Sequence, residues 1–264
     1  MTIIERLTQA AGGRMGLCVG LDPVRDRIPA PLRDEPEALY RFCVEIAEAT
    51  SEFAAAYKPN LAFFEAEGAS GWRQLERLIA ALPRDRVVIA DAKRGDIGNT
   101  AQAYAKSLFS QLKADMATVS PYLGADSLTP FLSDPEHGVF VLAVTSNPGG
   151  RDLQELVADG EPVFRHVIRL ARRLNANSNV GLVVGATRSS LWLEVLGAAV
   201  DLPLLVPGVG AQGGDLKALK AAVRSYPAPV LVNASRSIIY ASTGSDFTEA
   251  ARLAARQLLQ EFNS

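Results

Sequence analysis

Short apolar runs alternate along this chain with longer segments that are apolar on one side only. The runs are Gly16 to Leu21, Ala54 to Tyr57, Val87 to Lys93, Ala114 to Val119, Val139 to Val144, Val180 to Val184, Leu204 to Val206 and Val230 to Val232. Their aliphatic character predicts strands covered on both faces. Between them, Pro36 to Ser51 sets Leu39, Phe42, Cys43 and Ile46 on one stripe, and Trp72 to Leu82 turns Leu75, Leu78 and Ile79 inward. That spacing is helical. Further helices are predicted over Thr100 to Leu112, Ala125 to Leu132, Val163 to Asn175, Ser189 to Leu196, Leu216 to Val223 and Phe247 to Phe262. Ile3 to Ala11 reads as a short leading helix, closed by Gly12-Gly13, and Gly149 to Glu161 as a longer polar loop.

Strand followed by helix, eight times over, implies parallel pairing, because each crossover has to span the sheet. The predicted fold is therefore α/β: a single (β/α)8 TIM barrel with a short N-terminal helix, one catalytic domain over residues 1–264. A doubly wound open sheet is the rival architecture.

Composition narrows the function. The 264 residues are 48% hydrophobic and 21% charged, with a net charge of −2. Such a balance offers no electrostatic footprint for nucleic acid. No apolar run approaches the ~18 residues of a membrane span, and Met1 to Arg14 lacks a signal peptide's apolar centre, so a cytoplasmic location is expected. Cys18 and Cys43 sit among aliphatic neighbours and read as small buried hydrophobes. His137 and His166 stand outside any metal-ligand spacing.

The candidate chemistry lies at strand ends. Val87, Ile89, Asp91 and Lys93 share one parity, so two aliphatic side chains are followed on the same face by a carboxylate and an ammonium. Gly95 then breaks the strand, and Asp96 stands in the turn beyond. Buried charges are costly unless paired, and a lysine between carboxylates stays protonated. The alternative is a strand that ends in solvated charge. Asp22, Lys58, Ser146, Gln212 and Arg236 also fall at or just past predicted strand ends, the face on which barrels build active sites. Pro207 to Gly214 holds four glycines, which let backbone N–H groups approach an anion. The helix that follows offers its N-terminus, and Arg236 a planar fork of donors. Together they predict a phosphate site, against the plainer reading of a flexible turn and a surface arginine.

These segments resemble the orotidine 5′-phosphate decarboxylase family, in its longer bacterial type. Asp91 to Thr100 fits the family signature Asp-x-Lys-x-x-Asp-Ile-x-x-Thr, and Gly20–Pro23, Tyr57–Asn60, Thr145–Gly149 and Pro207–Gly214 fit its other segments in order. The resemblance spans Gly16 to Tyr240. It implies conversion of orotidine 5′-phosphate to uridine 5′-phosphate and CO2 with no cofactor and no metal. It places Asp91 against the substrate carboxylate and makes Lys93 the proton donor to C6. Lys58 and Asp22 hold ribose hydroxyls, Ser146 reads the pyrimidine amide edge, and Gln212 and Arg236 hold the phosphate, bordered by Pro207 and Ser235. Lys58, Asp91, Lys93 and Asp96 would form a tetrad of alternating charge. Asp96 and Thr100 would reach into a neighbouring protomer's site, which implies a homodimer. Ser235 departs from the glycine of many shorter relatives, with the effect of narrowing the phosphate's room or adding a hydroxyl donor. Two other readings remain: a Mg2+-dependent sugar-phosphate decarboxylase or aldolase on the same barrel, and a non-catalytic protein that binds a phosphate ligand.

Overall fold

The computed structural model describes residues 1–12, 15–209 and 215–264. Eight parallel strands close on themselves: β1 Met15–Leu21, β2 Ala54–Pro59, β3 Val87–Arg94, β4 Met116–Val119, β5 Gly138–Val144, β6 Val180–Val184, β7 Leu204–Pro207 and β8 Val230–Ala234. Each pairs with its neighbours in chain order, and β8 returns to β1 through Met15↔Val230 to Val19↔Ala234. The open-sheet alternative is excluded.

Strand parity divides the core in two. Cys18, Ala56, Ile89, Met116, Phe140, Val183, Leu205 and Leu231 fill the barrel. Their chain neighbours, among them Leu17, Tyr57, Ala90, Ala117, Val141 and Val232, pack outward against the helices. Inside, a Cβ on Gly181 would lie 2.6 Å from the Phe140 ring, so the glycine makes room for the phenyl group. The leading helix, Ile3–Ala10, starts from a Thr2–Glu5 capping box. It inserts Ile3 and Leu7 among the interior residues at the strand starts. This closes the N-terminal mouth of the barrel and leaves the C-terminal mouth for chemistry.

The outer layer follows the predicted helices with adjustments at their ends. The helix predicted from Trp72 begins at Gly68, and a separate turn, Leu61–Glu65, precedes it because the Asn60 side chain caps Ala62 N–H. The segment predicted as Thr100 to Leu112 is α-helical over Gly98–Ala105 and widens to a π-helical turn over Lys106–Gln111. Phe109 on that turn stacks on His137, with centroids 4.6 Å apart. Gly149 to Glu161 is more than a loop. A helical turn, Arg151–Gln154, leads to a two-stranded hairpin of Val157–Ala158 with Glu161–Pro162. Asp159 and Gly160 turn it with φ of +51° and +81°, the conformation that an Asp-Gly pair favours. Strands of two residues are too short to show a period, so only that dipeptide signalled the hairpin. No helix among the described residues is long and apolar enough to cross a membrane.

Candidate active site

The C-terminal mouth holds a cavity of about 440 Å3. Leu142, Val183 and Leu205 line it from within the barrel, and polar residues from strand ends and loops complete its wall. Asp22, Lys58, Asp91, Lys93, Ser146, Pro207, Ser235 and Arg236 all line it, so one address gathers eight of the predicted residues.

Asp91 is its electrostatic centre. Oδ2 accepts a hydrogen bond from Lys58 Nζ at 2.5 Å, and Oδ1 accepts from Lys93 Nζ at 2.5 Å and from the Thr118 hydroxyl at 3.0 Å. The carboxylate and Lys58 are buried at 8% and 4% exposure, whereas the Lys93 side chain is half exposed toward the cavity mouth. Burial alone would push the Asp91 carboxyl up, yet the two ammonium groups hold it well below the usual carboxylate range. For Lys58, burial opposes charge, but Asp91 and Asp22 outweigh it and hold the ammonium above the ordinary lysine range. The couple is thus locked in its charged form. A parallel bridge between Asn60 and Asp91 aligns the end of β2 with β3 and brings Lys58 to Asp91.

Parity places Asp91 inward as predicted, but regular strand geometry ends there. Lys93 adopts φ +48°, and the β3–β4 register slips between Ala90 and Arg94. The ammonium reaches the cavity through this irregularity rather than by simple alternation.

Past the end of β1, Asp22 Oδ1 is buried with no hydrogen-bond partner among the described residues, as is Asn233 Oδ1 on β8. Such acceptors suit a ligand that brings hydroxyl donors. The exposed Arg236 guanidinium forms no hydrogen bond or ion pair with the described residues and stands beside Ser235 and Ser237 at the rim. Ser235 does not simply narrow the cavity. A Cβ on Gly20 would overlap its hydroxyl, so the glycine in β1 provides the space that the serine fills. Ser146 is fixed by its surroundings: Thr187 Oγ1 donates to its carbonyl at 3.1 Å, and Gln154 bonds both the N–H and the hydroxyl of Thr145 before it.

One predicted element of the phosphate grip is corrected. The N-terminus of helix Leu216–Val223 is already capped, because the Asp215 carboxylate accepts from Lys217 N–H and Ala218 N–H. An acidic N-cap uses the very donors that were expected to face an anion. From the glycine-rich stretch, Pro207, Gly208 and Val209 border the cavity. Gln212 lies outside the described residues.

Asp96 and Thr100 do not line the cavity of their own chain. Asp96 accepts from the N–H of Ile97, and Thr100 is exposed in the first turn of Gly98–Ala105. Within one chain the expected tetrad is therefore a cluster of three. Sequence reasoning also missed Asn60, Thr118, Asn147 and Asn233, all of which line the cavity. For Thr118 and Asn233 a signal existed: each is polar at an inward position, two residues beyond Met116 and Leu231.

The cysteines and histidines play no part here. Burial pushes the Cys18 thiol up to about 12, which leaves it inert inside the barrel. His166 bonds the carbonyl of Ala158 at 2.8 Å. No group of three His, Cys, Asp or Glu residues suited to a metal ion occurs among the described residues.

Residues 15–252 match the model of the Orotidine 5′-phosphate decarboxylase / HUMPS family. Orotidine 5′-phosphate decarboxylase of Roseiflexus castenholzii is 49% identical over 268 residues, a span covering 100% of this chain and 98% of that one. Among solved structures, Leishmania donovani OMP decarboxylase is similar with a TM-score of 0.88 and 43% identity, covering 100% of this chain and 98% of that one. UMP synthase from the same organism matches with the same TM-score of 0.88 and 43% identity, over 100% of this chain and 56% of that longer one.

Proposed function

The chain belongs to the orotidine 5′-phosphate decarboxylase / HUMPS family, and from that premise we propose how its side chains perform the reaction. The enzyme is a carboxy-lyase that converts orotidine 5′-phosphate to UMP and CO2. The C6–carboxylate bond breaks, its electron pair stays on C6, and CO2 departs. No adjacent carbonyl or imine spreads the resulting charge, so a preorganised cation must stabilise it. Lys93 is that cation. Its Nζ lies within the cavity wall, and it gives its proton to C6 to complete the new C–H bond. Solvent at the open mouth then reprotonates the amine.

Asp91 keeps both ammonium groups in place and meets the substrate carboxylate, a repulsion that ends as CO2 leaves. Lys58 and Asp22 hold the ribose hydroxyls. Ser146 reads the amide edge of the base. Arg236, with Gln212, grips the phosphate, whose binding energy acts at a distance from the reacting carbon and so affects turnover as well as affinity. Asp96 and Thr100 serve the partner's cavity in a homodimer. As an enzyme of nucleotide synthesis, the protein acts in the cytoplasm.

The observation that carries this reading is the bonding of one buried carboxylate to two ammonium groups at the wall of the cavity. The same observation disfavours the Mg2+-dependent alternative, because both Asp91 oxygens are engaged by cations. The direct test follows the loss of orotidylate absorbance with purified, chelator-treated enzyme. Turnover should persist there, and Lys93→Ala should abolish it while UMP still binds. Turnover that vanishes with the chelator, or survives in Lys93→Ala, refutes the assignment.

A further inference from the structure

Thr118 touches both members of the Asp91–Lys93 couple, and the roles assigned above leave it without one. Strand β3 pairs with β4 in regular steps at Ile89↔Met116 and Ala90↔Ala117, and the next pair is Arg94↔Val119. Asp91, Ala92 and Lys93 therefore stand opposite Thr118 alone. A bulge of this kind leaves backbone donors without ladder partners. Lys93 sits inside it at φ +48°, a left-handed conformation that a lysine adopts only when its surroundings hold it there.

The Lys93 N–H donates to Thr118 Oγ1 at 3.0 Å. Thr118 is 2% exposed, so its hydroxyl has little access to bulk water. A hydroxyl carries one proton to donate and lone pairs to accept. With the Lys93 N–H on a lone pair, the proton goes to Asp91 Oδ1 at 3.0 Å. The direction is fixed, because an ionised carboxylate only accepts. One side chain thus ties the lysine's main chain to the carboxylate that holds the lysine's ammonium.

We propose that Thr118 is a positioning residue for the proton transfer, its hydroxyl fixing the Lys93 main chain and the Asp91 carboxylate relative to each other. The proposal rests on the reading of Lys93 as proton donor. Valine at this position would fill the same space and keep the methyl group, yet would leave the Lys93 N–H unpaired and remove one donor from Asp91. Serine would keep the hydroxyl and lose only a methyl group. The two substitutions separate hydrogen bonding from packing.

The test measures kcat and KM for orotidine 5′-phosphate, UMP affinity and the pH dependence of kcat in Thr118→Val, Thr118→Ser and Lys93→Ala. In Thr118→Val, kcat should fall about tenfold or more, as expected for two lost buried hydrogen bonds, with KM and UMP affinity within about threefold of the parent enzyme. Its acid limb should move to higher pH, because Asp91 has lost a donor to its charged form. Thr118→Ser should recover most of the loss. A Thr118→Val enzyme with kcat within twofold of the parent overturns the proposal. So does a defect confined to KM, which would make Thr118 a substrate contact. Should Thr118→Val fail to fold, Thr118→Ala carries the same expectations and the same overturning results. Lys93→Ala separates the two levels: if it is inactive while Thr118→Val is normal, only the positioning role falls. If Lys93→Ala turns over normally, the proton-donor reading falls and this proposal with it.

Discussion

Asp91 shows what one residue contributes to both stability and chemistry. An ionised carboxylate with four acceptor sites, buried beside two ammonium groups and a hydroxyl, is held in its charged form by contacts that also set its orientation. The consequence for stability has a definite sign. The folded carboxyl releases its proton at lower pH than the unfolded one, so pairing stabilises the fold above the unfolded value of about 4. That contribution fades as pH falls from there toward the folded value. Lys58 behaves oppositely: its contribution is complete below the unfolded lysine value of about 10.4 and is lost as pH rises through the folded one. Urea unfolding of the parent and of Asp91→Asn between pH 5 and pH 3 checks the acid branch. The parent's advantage should shrink across that window. A difference independent of pH would mean that the carboxylate gains nothing from its partners.

At the scale of elements, the site is built where regular structure gives way. Strand β3 delivers Asp91 by ordinary alternation and Lys93 by a bulge. The stretch after β5 folds back as a helical turn and hairpin, and its Gln154 and Glu155 reach the ends of two neighbouring strands: Gln154 bonds Thr145, and Glu155 pairs with Arg188 beyond β6. Ser146 is thereby held between β5 and the loop after β6. Gly185 leaves room for it, since a Cβ there would lie 2.7 Å from the Ser146 nitrogen and 2.8 Å from its Cα. Backbone atoms cannot step aside as a flexible side chain can. Gly185→Ala should therefore cost about 1–3 kcal/mol, the range for overpacking, and displace the residue assigned to the base. A lower melting temperature together with a raised KM is the expected outcome. Parent-like values for both would show that β5 and the loop after β6 have slack.

For the whole molecule, the barrel collects distant sequence at one mouth, with the leading helix closing the other. Lys58 and Asp96 carry the test of a shared site, since the first lines the cavity and the second does not. Asp96→Ala and Lys58→Ala chains should each be inactive alone. Mixed and allowed to exchange, they should recover about a quarter of the parent's activity, because half of randomly paired dimers are mixed and each has one site with both native residues. No recovery in a preparation shown to contain mixed dimers would place Asp96 outside catalysis in trans.

The alternation of apolar runs and amphipathic segments determined the (β/α)8 order. Burial on both faces demands aliphatic strands, and parallel pairing demands a crossover after each. The same pattern located Asp22, Lys58, Asp91, Lys93, Ser146 and Arg236 at strand ends. Tertiary structure alone decided which of these side chains meet. Only in the folded chain does the β3 bulge set Thr118 against Lys93, and Ser235 occupy the space beside Gly20. Each depends on register and on contacts between segments far apart in sequence, which local periodicity does not encode.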